Sequence, residues 1–235
     1  MDAKLAARYA VREALGLTVM AVALFVSAGR TDWWAGWAAL AVVALWTVAT
    51  AYVIVRLNPA LLSERLGPRR GAKPWDTAIM SALGLVQLGR YIVAGLDERF
   101  SWSGDFPLAA QLLAWFVCAL GYALFVWALA SNTYFSQIVR IQSERGHAVV
   151  TGGPYRFIRH PGYIGAIVFE LAVPIVLASW WALAISILGA FLLILRTVLE
   201  DRTLQAELPG YTEYVHRVRY RLCRGSGSGH ESDPG

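Results

Sequence analysis

Thr151 to Gly165 reads TGGPYRFIRHPGYIG. It sets Tyr155, Arg156, Arg159, His160 and Tyr163 among Pro154, Pro161 and several glycines, with strongly apolar sequence beyond it. A chain that only crossed lipid would have no use for such a stretch, so it belongs at a membrane surface. Pro161 pushes the backbone of His160 to an extended conformation, which takes the imidazole off any continuing helix face. The same proline suits the first position of a following helix. The early N–H groups of that helix are unpaired and attract anions or polar ligands. The plainer alternative is a surface loop whose arginines meet lipid phosphates.

Most of the remaining sequence is apolar. The chain is 57% apolar and 16% charged, where soluble domains carry about 25% charge. A bilayer core takes about 20 apolar residues per helix. Apolar runs lie at Ala14 to Ala28, Trp33 to Val55, Trp75 to Gly95 and Pro107 to Ala130, followed by Tyr163 to Leu177 and Trp180 to Leu195 around a break at Ala178-Ser179. The expected fold is an all-α integral membrane protein of about six transmembrane helices, the last two forming a helical hairpin. Residues 1–130 would supply four spans and residues 131–222 a core of loop, hairpin and polar C-terminal helix. Residues 223–235, rich in Gly and Ser, read as a disordered tail. No cleavable signal peptide is expected, and Cys118 and Cys223 form no metal or disulfide pattern.

The polar connections are distinctive. Arg56 to Pro74 carries too many prolines and glycines for one helix, leaving Leu61 to Leu66 as a short interfacial turn. In Ser131 to Gly162, Ile138 to Gln142 and Ala148 to Thr151 flank Ser-Glu-Arg-Gly-His and predict a small β-hairpin. Arg196 to Tyr220 reads as an amphipathic helix interrupted at Leu208-Pro209-Gly210. With six crossings and an inside N-terminus, 18 of the 21 Lys and Arg residues fall on the inner side. The positive-inside rule then puts both termini and the motif-rich loops in the cytoplasm.

Arg196, Glu200 and Asp201 are the second group of interest. Arg196 and Glu200 are four apart and share a helix face. A carboxylate that follows a hairpin returns to the surface where the hairpin began, so Glu200 should come back near His160 and Tyr163. The alternative is a solvated helix with ordinary ion pairs. Of the other polar residues, Asn132, Tyr134 and Ser136 suit either a lipid-side entrance or a helix-ending cap. His147 falls in the predicted hairpin turn, where a solvated ring is expected. Arg90 lies within a span, where a charge marks function by default, yet snorkelling to the outer interface is the simpler reading.

Gly153-Pro154-Tyr155, Arg159-His160-Pro161-Gly162-Tyr163 with Gly165, Glu200-Asp201, and Leu208-Pro209-Gly210-Tyr211 with Tyr214 and Arg217 resemble the isoprenylcysteine carboxyl methyltransferase family in order and spacing. Asn58-Pro59 and Leu61 to Arg65 are similar to its long bacterial members, which suggests a bacterial inner membrane. The resemblance implies an integral-membrane methyltransferase that encloses S-adenosylmethionine on the cytoplasmic side. It implies that Tyr155, Arg159, His160, Pro161, Tyr163 and Gly165 line or flank the cofactor, with Asp201 beside it. Glu200 would hold the ribose or the amino group. This chain has Glu200-Asp201 where the family often has Glu-Glu, and no proline near Cys223 where the family usually has one.

The sulfonium of such a cofactor drives methyl transfer without a metal, and no metal ligands are expected. A carboxylate acceptor is already ionised near neutral pH and needs an orienting arginine rather than a base, for which Arg196 and Arg217 are the candidates. The expected partners are membrane lipids and a lipid-like or prenylated small molecule, not nucleic acid. Two other functions fit the outline, an NADPH-dependent sterol-type membrane reductase and a non-enzymatic lipid carrier.

Overall fold

A computed structural model describes residues 3–57, 59–66 and 71–222. The helices run α1 Ala3–Ala28, α2 Trp34–Leu57, α3 Ala60–Leu66, α4 Pro74–Phe100, α5 Leu108–Ser131, α6 Pro161–Val176, α7 Trp180–Glu207 and α8 Tyr211–Arg217. Their ends follow local chemistry. Pro74 and Pro161 open α4 and α6 at the position where a missing N–H costs nothing. Ser179 caps α7 by accepting a hydrogen bond from Ala182 N at 3.0 Å. Ala178, at φ 57°, turns the chain between α6 and α7, and Ser179 N closes that turn on Pro174 O at 3.0 Å.

Five helices, α1, α2, α4, α5 and α7, are long and apolar enough to cross a membrane. Their outer faces carry exposed Val26, Leu85, Leu113, Phe116 and Phe191, a pattern suited to lipid contact. The sixth expected crossing, α6, has only 16 residues. It packs between α5 and α7, and its approach to α5 depends on glycine. A Cβ on Gly165 would lie 2.5 Å from Gly121 O, so the two backbones touch where no side chain intervenes.

Two expectations for the polar segments need correction. No strand forms among the described residues, and Ser143–Arg145 is a 3-10 turn. Here the chain wraps around the buried Gln142, which donates to Tyr134 O at 2.9 Å and accepts from Arg145. Side chains also satisfy backbone groups that a hairpin ladder would have used, with Ile138 N donating to Ser136 Oγ at 3.2 Å and Val139 N to Asp76 Oδ2 at 2.8 Å. The polar helix is also not separate from the hairpin. No glycine or proline falls between Gly189 and Pro209, and α7 runs unbroken past Arg196 to Glu207. The interruption at Leu208 to Gly210 does occur, with Gly210 at φ 81° before α8. Leu61 to Leu66 forms most of α3, and α4 continues through Asp97 to Phe100. Asn58 and the tail from Cys223 lie outside the described residues.

The bundle has two unlike ends. At one, Arg12 of α1 meets Arg65 O of α3 at 2.8 Å, Arg140 of the segment 132–160 meets Glu64 of α3 at 2.6 Å, Lys73 before α4 meets Glu207 of α7 at 2.6 Å, and Tyr214 of α8 meets Tyr155 O at 2.6 Å. At the other, Asp97 accepts from Ser103 and Ser179, and Arg30 meets Glu98 at 3.3 Å.

Candidate active site

A cavity of about 510 Å³ runs inward from the loop-rich end, within the size range of small-molecule sites. Near the loops it is polar, with Tyr155, Arg159, His160, Tyr163, Arg196 and Glu200 in its wall. Further in it is mostly apolar, with Trp46, Met80, Leu83, Phe125, Phe169 and Leu193.

Each polar side chain is held by a different element. Pro161 turns His160 off the helix, and the ring lands 3.0 Å from Asp201 and 5.8 Å from the Tyr163 ring. One helical turn into α6, the Tyr163 hydroxyl donates to Glu200 of α7. The hairpin therefore returns Glu200 beside Tyr163 as its geometry requires. Arg196 uses Nε on Asp76 Oδ1 at 2.7 Å and Nη2 on Gln137 O at 2.9 Å, with its guanidinium 5.5 Å from the Tyr163 ring centre. Asp76 also accepts from Val139 N at 2.8 Å. The arginine is thereby fixed to both α4 and the loop above it. Tyr155 is buried, its hydroxyl accepting from Asn132 at 3.3 Å and its carbonyl from the Tyr214 hydroxyl at 2.6 Å. Burial holds the Tyr155 hydroxyl above the ordinary tyrosine range, so it stays protonated.

Asp201 is fully buried behind this wall. It accepts from Arg159 Nε and Nη2 at 2.9 and 3.1 Å, from the Tyr211 hydroxyl at 2.9 Å, from Gln205 at 3.0 Å and from Arg221 at 3.3 Å. Arg159 also donates to Val218 O and Arg219 O at 2.8 and 2.9 Å, while Arg159 N and His160 N meet Tyr220 O and Arg221 O. One carboxylate thus draws the Arg-His-Pro loop, α7 and the chain's last described segment into one unit.

Of the residues singled out in the sequence, Tyr155, Arg159, His160, Tyr163, Arg196 and Glu200 share this cavity. Pro161, Gly165 and Asp201 stand outside its lining and act on position, through the start of α6, its contact with α5 and the carboxylate hub. Arg217 is exposed on α8 and does not line the cavity. Two readings are overturned. His147 is not a solvated turn residue, because its ring lies 4.5 Å from that of Tyr134 and forms part of the cavity wall. Arg90 does not snorkel outward. It is 1% exposed and pairs with Glu170 at 2.7 Å inside the bundle. Asp76, Glu170 and Arg65 also belong to the site region; no sequence motif announced Asp76 or Glu170, and Arg65 stood in the Leu61 to Arg65 stretch with no role assigned.

The fold and site define a multi-pass helical membrane protein with an internal cavity, polar at the loop end and mostly apolar within. Comparison with known proteins specifies it further. The model of the isoprenylcysteine carboxyl methyltransferase (ICMT) family matches residues 110–206, a stretch that holds Tyr155, Arg159, His160, Tyr163, Arg196 and Glu200. Two rice proteins, each named as a probable protein-S-isoprenylcysteine O-methyltransferase, one from Oryza sativa subsp. indica and one from subsp. japonica, are 24% identical over 145 residues. Those alignments cover 57% of this chain and 71% of each relative. A solved eukaryotic intramembrane Ras methyltransferase, isoprenylcysteine carboxyl methyltransferase, shares the fold at a TM-score of 0.56. Its identity is 18%, with 88% of this chain and 74% of that one covered. The resemblance to the isoprenylcysteine carboxyl methyltransferase family read from the motifs is borne out.

Proposed function

We propose that this protein is an S-adenosylmethionine-dependent methyltransferase that esterifies the carboxylate of a lipid-like acceptor, prenylcysteine-like or another isoprenoid or lipid acid. The observation that carries this is the cavity itself, in which Glu200, Tyr163, His160 and Arg196 meet at the polar end of an otherwise apolar chamber. That chamber suits a polar donor and a greasy acceptor placed end to end. The rice relatives and the family model support the same chemistry.

The polar end has the right groups for the cofactor. Aromatic rings of Tyr155, Tyr163 and His160 line it, and Glu200 offers a carboxylate to a ribose hydroxyl or an amino group. Arg65 lines the same cavity with a buried Nε that has no hydrogen-bond partner among the described residues, a suitable contact for the carboxylate end of the methyl donor. When bound, S-adenosylmethionine supplies a methyl group on a positively charged sulfonium.

The chain's own residues then need to align and to exclude water, and alignment can lower a barrier by about 7–11 kcal/mol at best. Arg196, clamped by Asp76 and Gln137 O, orients the acceptor carboxylate. No general base is required, because that carboxylate is already ionised. The basic residues at the loop-rich end support a cytoplasmic position for this site.

Calorimetry in detergent tests the reading, with S-adenosylmethionine and NADPH as separate titrants. The methyl donor should bind, and His160→Ala and Glu200→Ala should abolish that binding. Arg196→Ala should lose methyl transfer with donor binding intact. Binding of NADPH in place of the methyl donor would overturn the assignment in favour of a reductase.

A further inference from the structure

Deep in the cavity the wall is not wholly apolar. Arg90 of α4 and Glu170 of α6 both line it, 1% and 4% exposed. Arg90 Nη1 meets Glu170 Oε2 at 2.7 Å and Glu170 O at 3.3 Å, with Ser186 Oγ at 3.4 Å, while Nη2 donates to the Tyr91 hydroxyl at 2.9 Å. Two buried atoms of the pair have no hydrogen-bond partner among the described residues, Arg90 Nε and Glu170 Oε1. A Cβ at Gly189 would come within 2.7 Å of that oxygen, so α7 leaves room for the carboxylate by carrying no side chain there.

An ion pair inside a membrane bundle is expensive, and apolar residues of similar volume usually brace helices at least as well. This one is also incompletely satisfied, a further cost. A pure hydrocarbon tail packed beside it would leave those needs unmet. The cavity also reaches the surface beside the pair. Gly84 and Gln87 of α4 line it and are exposed on the bundle flank, where lipid chains would lie.

We propose that Arg90 and Glu170 form a second polar subsite that binds a hydrogen-bonding group at the far end of the acceptor. This deepens the methyltransferase reading and rests on it. Ser186, beside Arg90, lies ten residues from Arg196 on α7, about 15 Å of helix. Glu170 lies seven residues beyond Tyr163 on α6, about 10 Å. The acceptor class is therefore a bifunctional lipid, an acid at one end and a hydroxyl or amide at the other. A neutral group that both donates and accepts complements a carboxylate and a guanidinium together. A charged group would leave one of the two unpaired.

The test measures binding to the full chain in detergent, by calorimetry, with S-dodecyl mercaptopropionate and its ω-hydroxy counterpart. The wild-type protein should bind the hydroxylated acid about tenfold more tightly, equivalent to about 1.4 kcal/mol. The double variant Arg90→Met with Glu170→Leu should bind both acids within twofold of one another and keep its affinity for S-adenosylmethionine. If that variant does not fold, the isosteric Glu170→Gln should still reduce the preference severalfold. Equal binding of the two acids by the wild-type protein, or a preference that survives in the variants, would overturn the subsite. Loss of the methyltransferase reading would appear separately, as absence of S-adenosylmethionine binding in the wild-type samples.

Discussion

Asp201 and Asp97 close opposite ends of the same bundle, and they do so with opposite chemistry. Both are buried, at 0% and 3% exposure. Asp97 accepts from Ser103 N at 2.7 Å and from the hydroxyls of Ser103 and Ser179. These neutral donors pin the α6–α7 corner to the end of α4, and no lining residue of the cavity lies among them. Asp201 instead gathers the guanidinium groups of Arg159 and Arg221 together with His160 and Tyr211, directly behind the cavity wall. The neutral pin fixes a corner, whereas the charged hub holds the site's own residues in place.

The comparison is most easily broken at its charged member. Asp201→Asn removes the counter-charge of two arginines, and breaking buried pairs costs about 3–5 kcal/mol. Thermal unfolding in detergent should show that loss together with loss of methyl-donor binding. Unchanged donor binding would make the hub a mere pin like Asp97. Asp97→Asn keeps an acceptor oxygen and should cost about 1–3 kcal/mol, with donor binding and methyl transfer at wild-type levels. Gly165→Ala, which drives a Cβ against Gly121 O, should cost a similar 1–3 kcal/mol, about the usual range for overpacking. Because α6 carries Tyr163, methyl transfer should fall in Gly165→Ala and not in Asp97→Asn, which separates displacement of the site from plain destabilisation.

The smallest effect concerns the loop over the cavity. Burial first, and then the nearby charge of Arg145, lower the His147 pKa below its ordinary value, with Glu200 opposing. The folded state thus binds fewer protons than the unfolded one. The contribution to stability is present above the ordinary value of about 6.5 and is lost as pH falls through the lowered one. Hydrogen exchange in residues 133–150, corrected for intrinsic rates, should quicken between about pH 7.5 and pH 5.5. His147→Phe should remove that difference while leaving exchange around Asp97 untouched.

The hairpin and the placement of Glu200 could be read from the sequence because the signals are local. Pro161 starts α6, Ala178-Ser179 turns it, and a return helix must bring its polar end back to the start. The loop between Asn132 and Gly152 could not, because its order comes from single side chains such as Gln142 rather than from any period. The continuity of α7 was obscured by a change of polarity at Arg196, which resembles a boundary although no helix breaker is present. Arg196 with Asp76, and Arg90 with Glu170, join residues 120 and 80 positions apart. Only tertiary packing brings such partners together. The expected snorkelling of Arg90 failed for that reason, since a buried acid on another helix offers a nearer counter-charge than the interface.

The backbone bonds from Arg159 N and His160 N to Tyr220 O and Arg221 O carry a consequence for biosynthesis. Among the described residues, all five long helices precede those acceptors in the chain, so a nascent protein can insert them before it owns the segment that closes the Asp201 hub. Chains grow from the N-terminus, and the ribosome must release residues 218–221 before Arg159 and Asp201 can take their final posture. Insertion of the long helices and closure of the Asp201 hub are therefore successive events.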